Sequence, residues 1–198
     1  MDCQAIILKT YEYVKDVSLC NDLSHDFLHV QRVVALTKKI AKTHSDCDMF
    51  VAEMVALLHD VEDRKLGSKK FFKVKDFLAH VGLSSETACK IMQCIEFISY
   101  SKNPTKNEAL PIEAKIVQDA DRIDAIGAVG VARTFAYGAT QNYPFYDKDE
   151  KTHSTLEHFE EKLFKLYDLL NTSEAKRIAL QRHEFMKQFY LQFLDEIK

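Results

Sequence analysis

Apolar residues recur every three or four positions along most of the chain, the spacing of one face of an α-helix. Ile6, Leu8, Tyr11 and Val14 mark a first helix over roughly 2–18, and Val30, Val33, Val34 and Ile40 a second over roughly 27–44, with Asp26 placed to cap it. The densest apolar run, MFVAEMVALL, lies in a third helix expected from near Asp48 to Asp63. Gly67 and Ser68 interrupt the pattern, and a short helix follows over roughly 71–80. Ser84 or Ser85 caps another that reaches about residue 100, with Glu86 in its first turn. The stretch SKNPTKNEALP reads as a loop, and a long helix is expected from Pro111 through 134 despite Gly127 and Gly130. Residues 138–152 form a polar loop with aromatics, and two helices, roughly 154–170 and 173–197, complete the pattern. No strand pattern, repeat or low-complexity tract interrupts this series, so the expected fold is an all-α, single-domain helical bundle.

Composition narrows this only a little. A chain of 198 residues is long enough for a real core in one domain, and scarce turn formers (Gly 5, Pro 3) agree with helices. A net charge of −3 gives no general attraction to nucleic acid or anionic membrane. The cysteines Cys3, Cys20, Cys47, Cys89 and Cys94 show neither a CxxC pair nor zinc-type spacing, which suits reduced thiols in a cytoplasmic protein. The N-terminal stretch MDCQAIILKTYEYVKD resembles neither a signal peptide nor a membrane span.

The third helix changes the picture. It ends in ALLHDVED, where successive residues about 100° apart would place His59 and Asp63 on one face, Asp60 beside them and Glu62 on the flank. A solvated helix end explains Glu62 and Asp63, but not a histidine that follows Ala56, Leu57 and Leu58. Acids at a helix C-terminus oppose the macrodipole and call for something positive nearby. Two other stretches offer partners. In SHDFLHVQRV, His29 sits beside Val30 and Val33, where a lone histidine is more often a core residue bonded to a carbonyl. In VQDADRIDAIGAVG, Asp119, Asp121 and Asp124 fall within six positions of an apolar, small-residue helix whose only local counter-charge is Arg122. Aspartate is a weak helix former and costly to bury without a partner. Together, two histidines and two aspartates from three helices describe a divalent-metal site of mixed nitrogen and oxygen donors. Periodicity does not choose among the three aspartates, because Asp119 shares a face with Ile112, Ile123 and Ile126.

A further segment, RKLGSKKFFKVK over 64–75, holds six basic residues and no acid. It is either the solvated side of an amphipathic helix or a cationic lid that grips a polyphosphate through Lys65, Lys69 and Lys70. A basic tract can also signal nucleic acid, but this one is short and bounded by Asp63 and Asp76.

The ordered blocks HDFLHVQRVVAL, ALLHDVEDRK, QDADRIDAIGAVGVARTF, HFEEKLFKLYDLLNT and EAKRIALQRHEFM resemble the HD-domain superfamily of metal-dependent phosphohydrolases, in particular a stand-alone bacterial subgroup that includes the YedJ and YpgQ proteins. The resemblance spans nearly the whole chain and implies one HD domain over 1–198 with a C-terminal helical extension at roughly 154–198. It places one divalent ion (Mn, Fe, Co, Ni, Zn or Mg) on His29, His59, Asp60 and Asp121, the last being the aspartate of an A-D-R element. Asp119 and Asp124 remain alternatives, better suited to orienting a ligand or pairing with Arg122. HDVED is also similar to the HDxxED motif of guanosine-tetraphosphate hydrolases, which implies catalytic roles for Glu62 and Asp63. His25 is a candidate proton donor to a leaving group, or part of a helix cap, and Arg122 a candidate phosphate ligand. The implied activity is nucleotide phosphohydrolysis, with nucleoside triphosphates split to release pyrophosphate. A phosphodiesterase, a nucleotidase, a guanosine-tetraphosphate hydrolase and a non-catalytic nucleotide or metal sensor are the alternatives. The expected partner is a small-molecule nucleotide, with no nucleic acid and no membrane, and with a homodimer left open.

Overall fold

A computed structural model describes residues 2–18, 27–61, 73–98, 105, 109–147 and 152–198. Within these, the periodic segments become α1 (Cys3–Ser18), α2 (Phe27–Ala41), α3 (Met49–Leu58), α4 (Val74–His80), α5 (Ser85–Glu96), α6 (Ile112–Asp124), α7 (Gly127–Thr140), α8 (Glu157–Glu161) and α9 (Ser173–Glu196), with a 3-10 turn at Leu163–Lys165. No strand occurs among the described residues, and none of their helices is long and apolar enough to cross a membrane.

The fold is organised around α3. Every residue from Val51 to Leu58 is buried, so this helix is apolar on all sides and must be covered on all sides. The carboxylate of Asp48 starts it, accepting from the backbone N–H of Phe50 at 3.1 Å and of Val51 at 3.2 Å. Packing around it are α1, α2, α5 and α6, and α2 lies most extensively against α6. Full burial of side chains such as Leu57, Leu58, Ile40 and Ile123 is worth about 1.5–3 kcal/mol each, and this dominates the adhesion of the bundle. Glu53 is the acidic exception inside α3, and Lys38 of α2 meets it at 2.6 Å. A second layer, with α9 packed on α6 and α7, covers the other side of α6.

Three elements depart from the periodic pattern. α3 stops at Leu58, and residues 59–61 form a turn in which the Val61 N–H bonds the Leu58 carbonyl at 3.2 Å. His59 and Asp60 thus stand on the turn that ends the helix, and the expected shared face with Asp63 lies outside the described residues. The long helix expected from 111 is two helices. α6 ends at Asp124, Ile126 is extended (φ −121°, ψ 168°), and Gly127 takes a left-handed φ of +78°, which glycine adopts without strain. The segment expected as a helix over 154–170 is a short α8 and the 3-10 turn, separated by Lys162 at φ −132°. Most of the loop expected at 101–111 lies outside the described residues.

Candidate metal centre

His29, His59 and Asp121 offer one ligand atom each, all within 4.8 Å of one another. They come from α2, the turn after α3 and the last turn of α6. Asp60 lies against the two histidines. Its Oδ2 lies 3.4 Å from His29 Nε2 and its Oδ1 3.5 Å from His59 Nε2. Asp121 Oδ1 is 3.5 Å from His29 Nε2 and 3.9 Å from His59 Nε2. Donors about 2.0–2.2 Å from one ion stand about 3–3.5 Å apart, so this spacing suits a shared cation. The histidine side chains are 1% and 2% exposed, the carboxylates of Asp60 and Asp121 20% and 30%.

The fit to a cation is tested by the ring nitrogens. His59 Nδ1 lies 2.8 Å from the Ala56 carbonyl, which can only accept, so Nδ1 carries a proton and Nε2 is the ring atom left to face the carboxylates. That Nε2 is buried and makes no hydrogen bond. A buried ring nitrogen without a hydrogen bond, facing two carboxylates, is an arrangement that a divalent ion would suit. His29 is arranged in parallel: Nδ1 meets Asp124 Oδ2 at 2.8 Å, which turns Nε2 toward Asp60 and Asp121. Burial alone would favour the neutral His29 ring, but the hydrogen bonds to Asp124 and Asp60 push its pKa up to about 9. A cation at Nε2 competes with that proton.

Asp124 is fully buried and anchors the region behind His29. Arg32 grips it with Nε at 2.7 Å and Nη2 at 3.0 Å, and Arg133 Nη1 reaches it at 2.8 Å. Burial opposes its charge, yet the hydrogen bonds from His29 and Arg32 and the charges of His29 and Arg133 hold the carboxyl well below the usual range. Arg133 Nη1 also lies 3.2 Å from His29 Nδ1; both are donors that converge on the same carboxylate.

Asp119 serves elsewhere. It accepts from the N–H groups of Asn171 and Thr172, both at 2.8 Å, from Asn171 Nδ2 at 2.9 Å and from Thr172 Oγ1 at 2.9 Å, and so fixes the turn before α9. Arg122, expected to hold a phosphate, is instead 3% exposed and donates from Nη1 to the Leu169 carbonyl in the C-terminal layer. Among the described residues the arginines at the cluster are Arg32 and Arg133, neither of which was expected there. Arg32 carried a signal, since it lies three residues after His29 and shares its helix face. Arg133 carried none, because the turn at 125–127 that redirects α7 was not foreseen. His25, Glu62, Asp63, Lys65, Lys69 and Lys70 lie outside the described residues.

Residues 26–126 match the family model for the HD domain, a segment that holds all four clustered residues. The chain belongs to the HD-domain family. Among its relatives, the uncharacterized protein YpgQ of Bacillus subtilis (strain 168) is 35% identical over 189 residues, covering 93% of this chain and 90% of that protein. The crystal structure of B. subtilis YpgQ superposes with a TM-score of 0.83 at 34% identity, over 100% of this chain and 98% of that one. YpgQ has also been crystallised in complex with ADP, a structure similar to this chain at TM-score 0.82 and 34% identity, over 99% of this chain and 97% of that one. An HD-superfamily hydrolase from Bacillus thuringiensis gives a TM-score of 0.76 at 38% identity over 98% of each chain.

Proposed function

We propose that this HD-domain protein is a metal-dependent phosphohydrolase acting on nucleotides, with nucleoside triphosphates as substrate and pyrophosphate as product. The observation that carries the reading is the buried Nε2 of His59, which makes no hydrogen bond and faces Asp60 and Asp121 at 3.5 and 3.9 Å. A non-catalytic site for small polar molecules would not need two histidines and two carboxylates converging on one point. The name of the B. thuringiensis relative supports hydrolysis, and the ADP complex of YpgQ supports a nucleotide.

In this reading His29, His59, Asp60 and Asp121 hold one divalent ion, and the donor set suits manganese, iron, cobalt, nickel, zinc or magnesium. When bound, such an ion polarises a phosphoryl oxygen and acidifies water. The chain does the rest. Asp124, clamped by Arg32 and Arg133, aims His29; the Ala56 carbonyl aims His59. The solvent-facing carboxylates of Asp60 and Asp121 leave the approach for substrate on their side. Glu62 and Asp63, next in the chain after Asp60 and Val61, orient the attacking water or accept its proton, and His25 protonates the leaving group. Lys65, Lys69 and Lys70 hold the polyphosphate by charge-assisted contacts.

The test is a phosphate- and pyrophosphate-release screen of metal-reconstituted protein against nucleoside mono-, di- and triphosphates, cyclic nucleotides and guanosine tetraphosphate, with products separated by chromatography. Metal-dependent release of pyrophosphate from triphosphates is expected. Turnover of another class alone moves the substrate. Nucleotide binding without turnover of any of them makes the protein a sensor.

A further inference from the structure

α9 lies beyond the segment that matches the family, yet it touches the backbone that carries two of the aspartates. Arg182 of α9 donates from Nη1 to the Ile123 carbonyl at 2.8 Å. Ile123 belongs to the last turn of α6, and its carbonyl also accepts a long backbone bond from the Ile126 N–H at 3.4 Å. A guanidinium there adds a charged donor and opposes the negative end of the helix dipole. Ile123 stands between Asp121 and Asp124 in the chain, so a restraint on its carbonyl is a restraint on both. The stem of the same side chain seats Gly127, where an added Cβ would lie 2.9 Å from Arg182 Cβ. Gly127 opens α7, and α7 brings Arg133 to Asp124. One side chain therefore meets both the end of α6 and the start of α7, the two elements that supply Asp121, Asp124 and Arg133.

We propose that Arg182 is a positioning residue for the cluster: it sets the place of Asp121 and, through Asp124, the aim of His29 Nε2. Ligand distances tolerate only about 0.2 Å, so a small drift of the α6 end degrades a metal site before it unfolds a helix. This inference rests on the reading of the cluster as a metal centre. The plain alternative is that Arg182 only cements α9 to α6, in which case its loss lowers stability and leaves the cluster alone.

The experiment compares full-length wild type with Arg182→Met, which keeps the apolar stem and removes the donor, and Arg182→Lys, which keeps charge and one donor. Arg177→Ala serves as control, since Arg177 is an exposed partner of Glu174 on the same helix. Two quantities are read well below the melting temperature. One is the affinity for Mn2+ by isothermal titration. The other is the hydrogen-bonded His29 Nδ1–H resonance by NMR, assigned through its loss in His29→Gln. The expected result is roughly tenfold weaker Mn2+ binding and a shifted or broadened His29 resonance in Arg182→Met, substantial recovery in Arg182→Lys, and no change in Arg177→Ala. A lower melting temperature with unchanged affinity and unchanged resonance overturns the proposal. If wild type takes up no divalent ion, the metal reading falls, and the His29 resonance alone decides whether Arg182 positions that ring.

Discussion

The Nδ1 of His29 and the Oδ2 of Asp124 lie 2.8 Å apart, with the carboxylate fully buried and gripped by two arginines. Asp124→Asn keeps the shape but loses the charge that Arg32 and Arg133 share, so His29 is held less firmly. Affinity for a divalent ion is expected to fall about 10–100-fold, the usual loss when a group behind a ligating histidine is removed. Titration with Mn2+, with helix content checked by circular dichroism, measures it. An unchanged affinity would remove Asp124 from the frame of the centre.

His59→Ala and Asp60→Ala are expected to abolish hydrolysis while the far-ultraviolet spectrum barely changes. Both residues follow the end of α3 and lie outside its apolar run from Val51 to Leu58. Substantial activity of either variant at saturating metal counts against a catalytic ion.

Asp119→Ala should behave in the opposite way. Four hydrogen bonds to Asn171 and Thr172 are lost, leaving two backbone N–H groups without their acceptor at the start of α9. A stability loss of about 2–5 kcal/mol is expected by chemical denaturation, with near-normal Mn2+ affinity at low temperature. Complete loss of metal binding in the folded variant would place Asp119 among the ligands instead.

The contrast between these aspartates shows how far the chain could be read without coordinates. Adjacent His59 and Asp60, and buried His29, were legible because each is a polar residue in the wrong company, surrounded by apolar neighbours. The helical architecture followed from periodicity for the same reason. The three aspartates of α6 could not be told apart, since their roles depend on which layer each meets: α9 for Asp119, open approach for Asp121, α2 and α7 for Asp124. The turn at Gly127 was hidden by apolar spacing that continues across it, and with it went Arg133. Arg122 was misplaced because nearness in sequence to three acids says nothing of which side of the helix its guanidinium leaves.

Glu113 offers a pH-dependent check on the other side of the bundle. It is buried and accepts from Lys90 Nζ at 2.8 Å and from the Asp48 N–H at 3.1 Å, next to the cap of α3. Burial opposes its charge, but Lys90 and the backbone donors outweigh that and hold its pKa below the ordinary 4.5. A depressed carboxylate stabilises the fold above its unfolded pKa, and that contribution disappears as pH falls through the folded value. Glu113→Gln should therefore cost about 1–3 kcal/mol at pH 7 and progressively less below about pH 4. Urea melts of both proteins at pH 7, 5 and 3 read the difference; a constant gap across that range refutes the ion-pair account.

Replacing Lys65, Lys69 and Lys70 together by glutamine separates a polyphosphate grip from a solvated surface. With a grip, kcat/KM for a nucleoside triphosphate falls more than for its monophosphate, and the gap narrows as salt rises, because exposed charges are screened within about 10 Å at roughly 0.1 M. Equal changes for the two nucleotides, or none, leave these lysines without a role in binding.

The enclosure of α3 also governs how an ion would come and go. With Val51 to Leu58 covered on every side, no local fraying frees the stretch leading into His59, so its amides should exchange with solvent only when the whole bundle opens. Among the described residues the two histidine side chains are nearly closed to solvent, at 1% and 2%, while those of Asp60 and Asp121 are 20% and 30% exposed, so an ion held here would be met first by the two carboxylates.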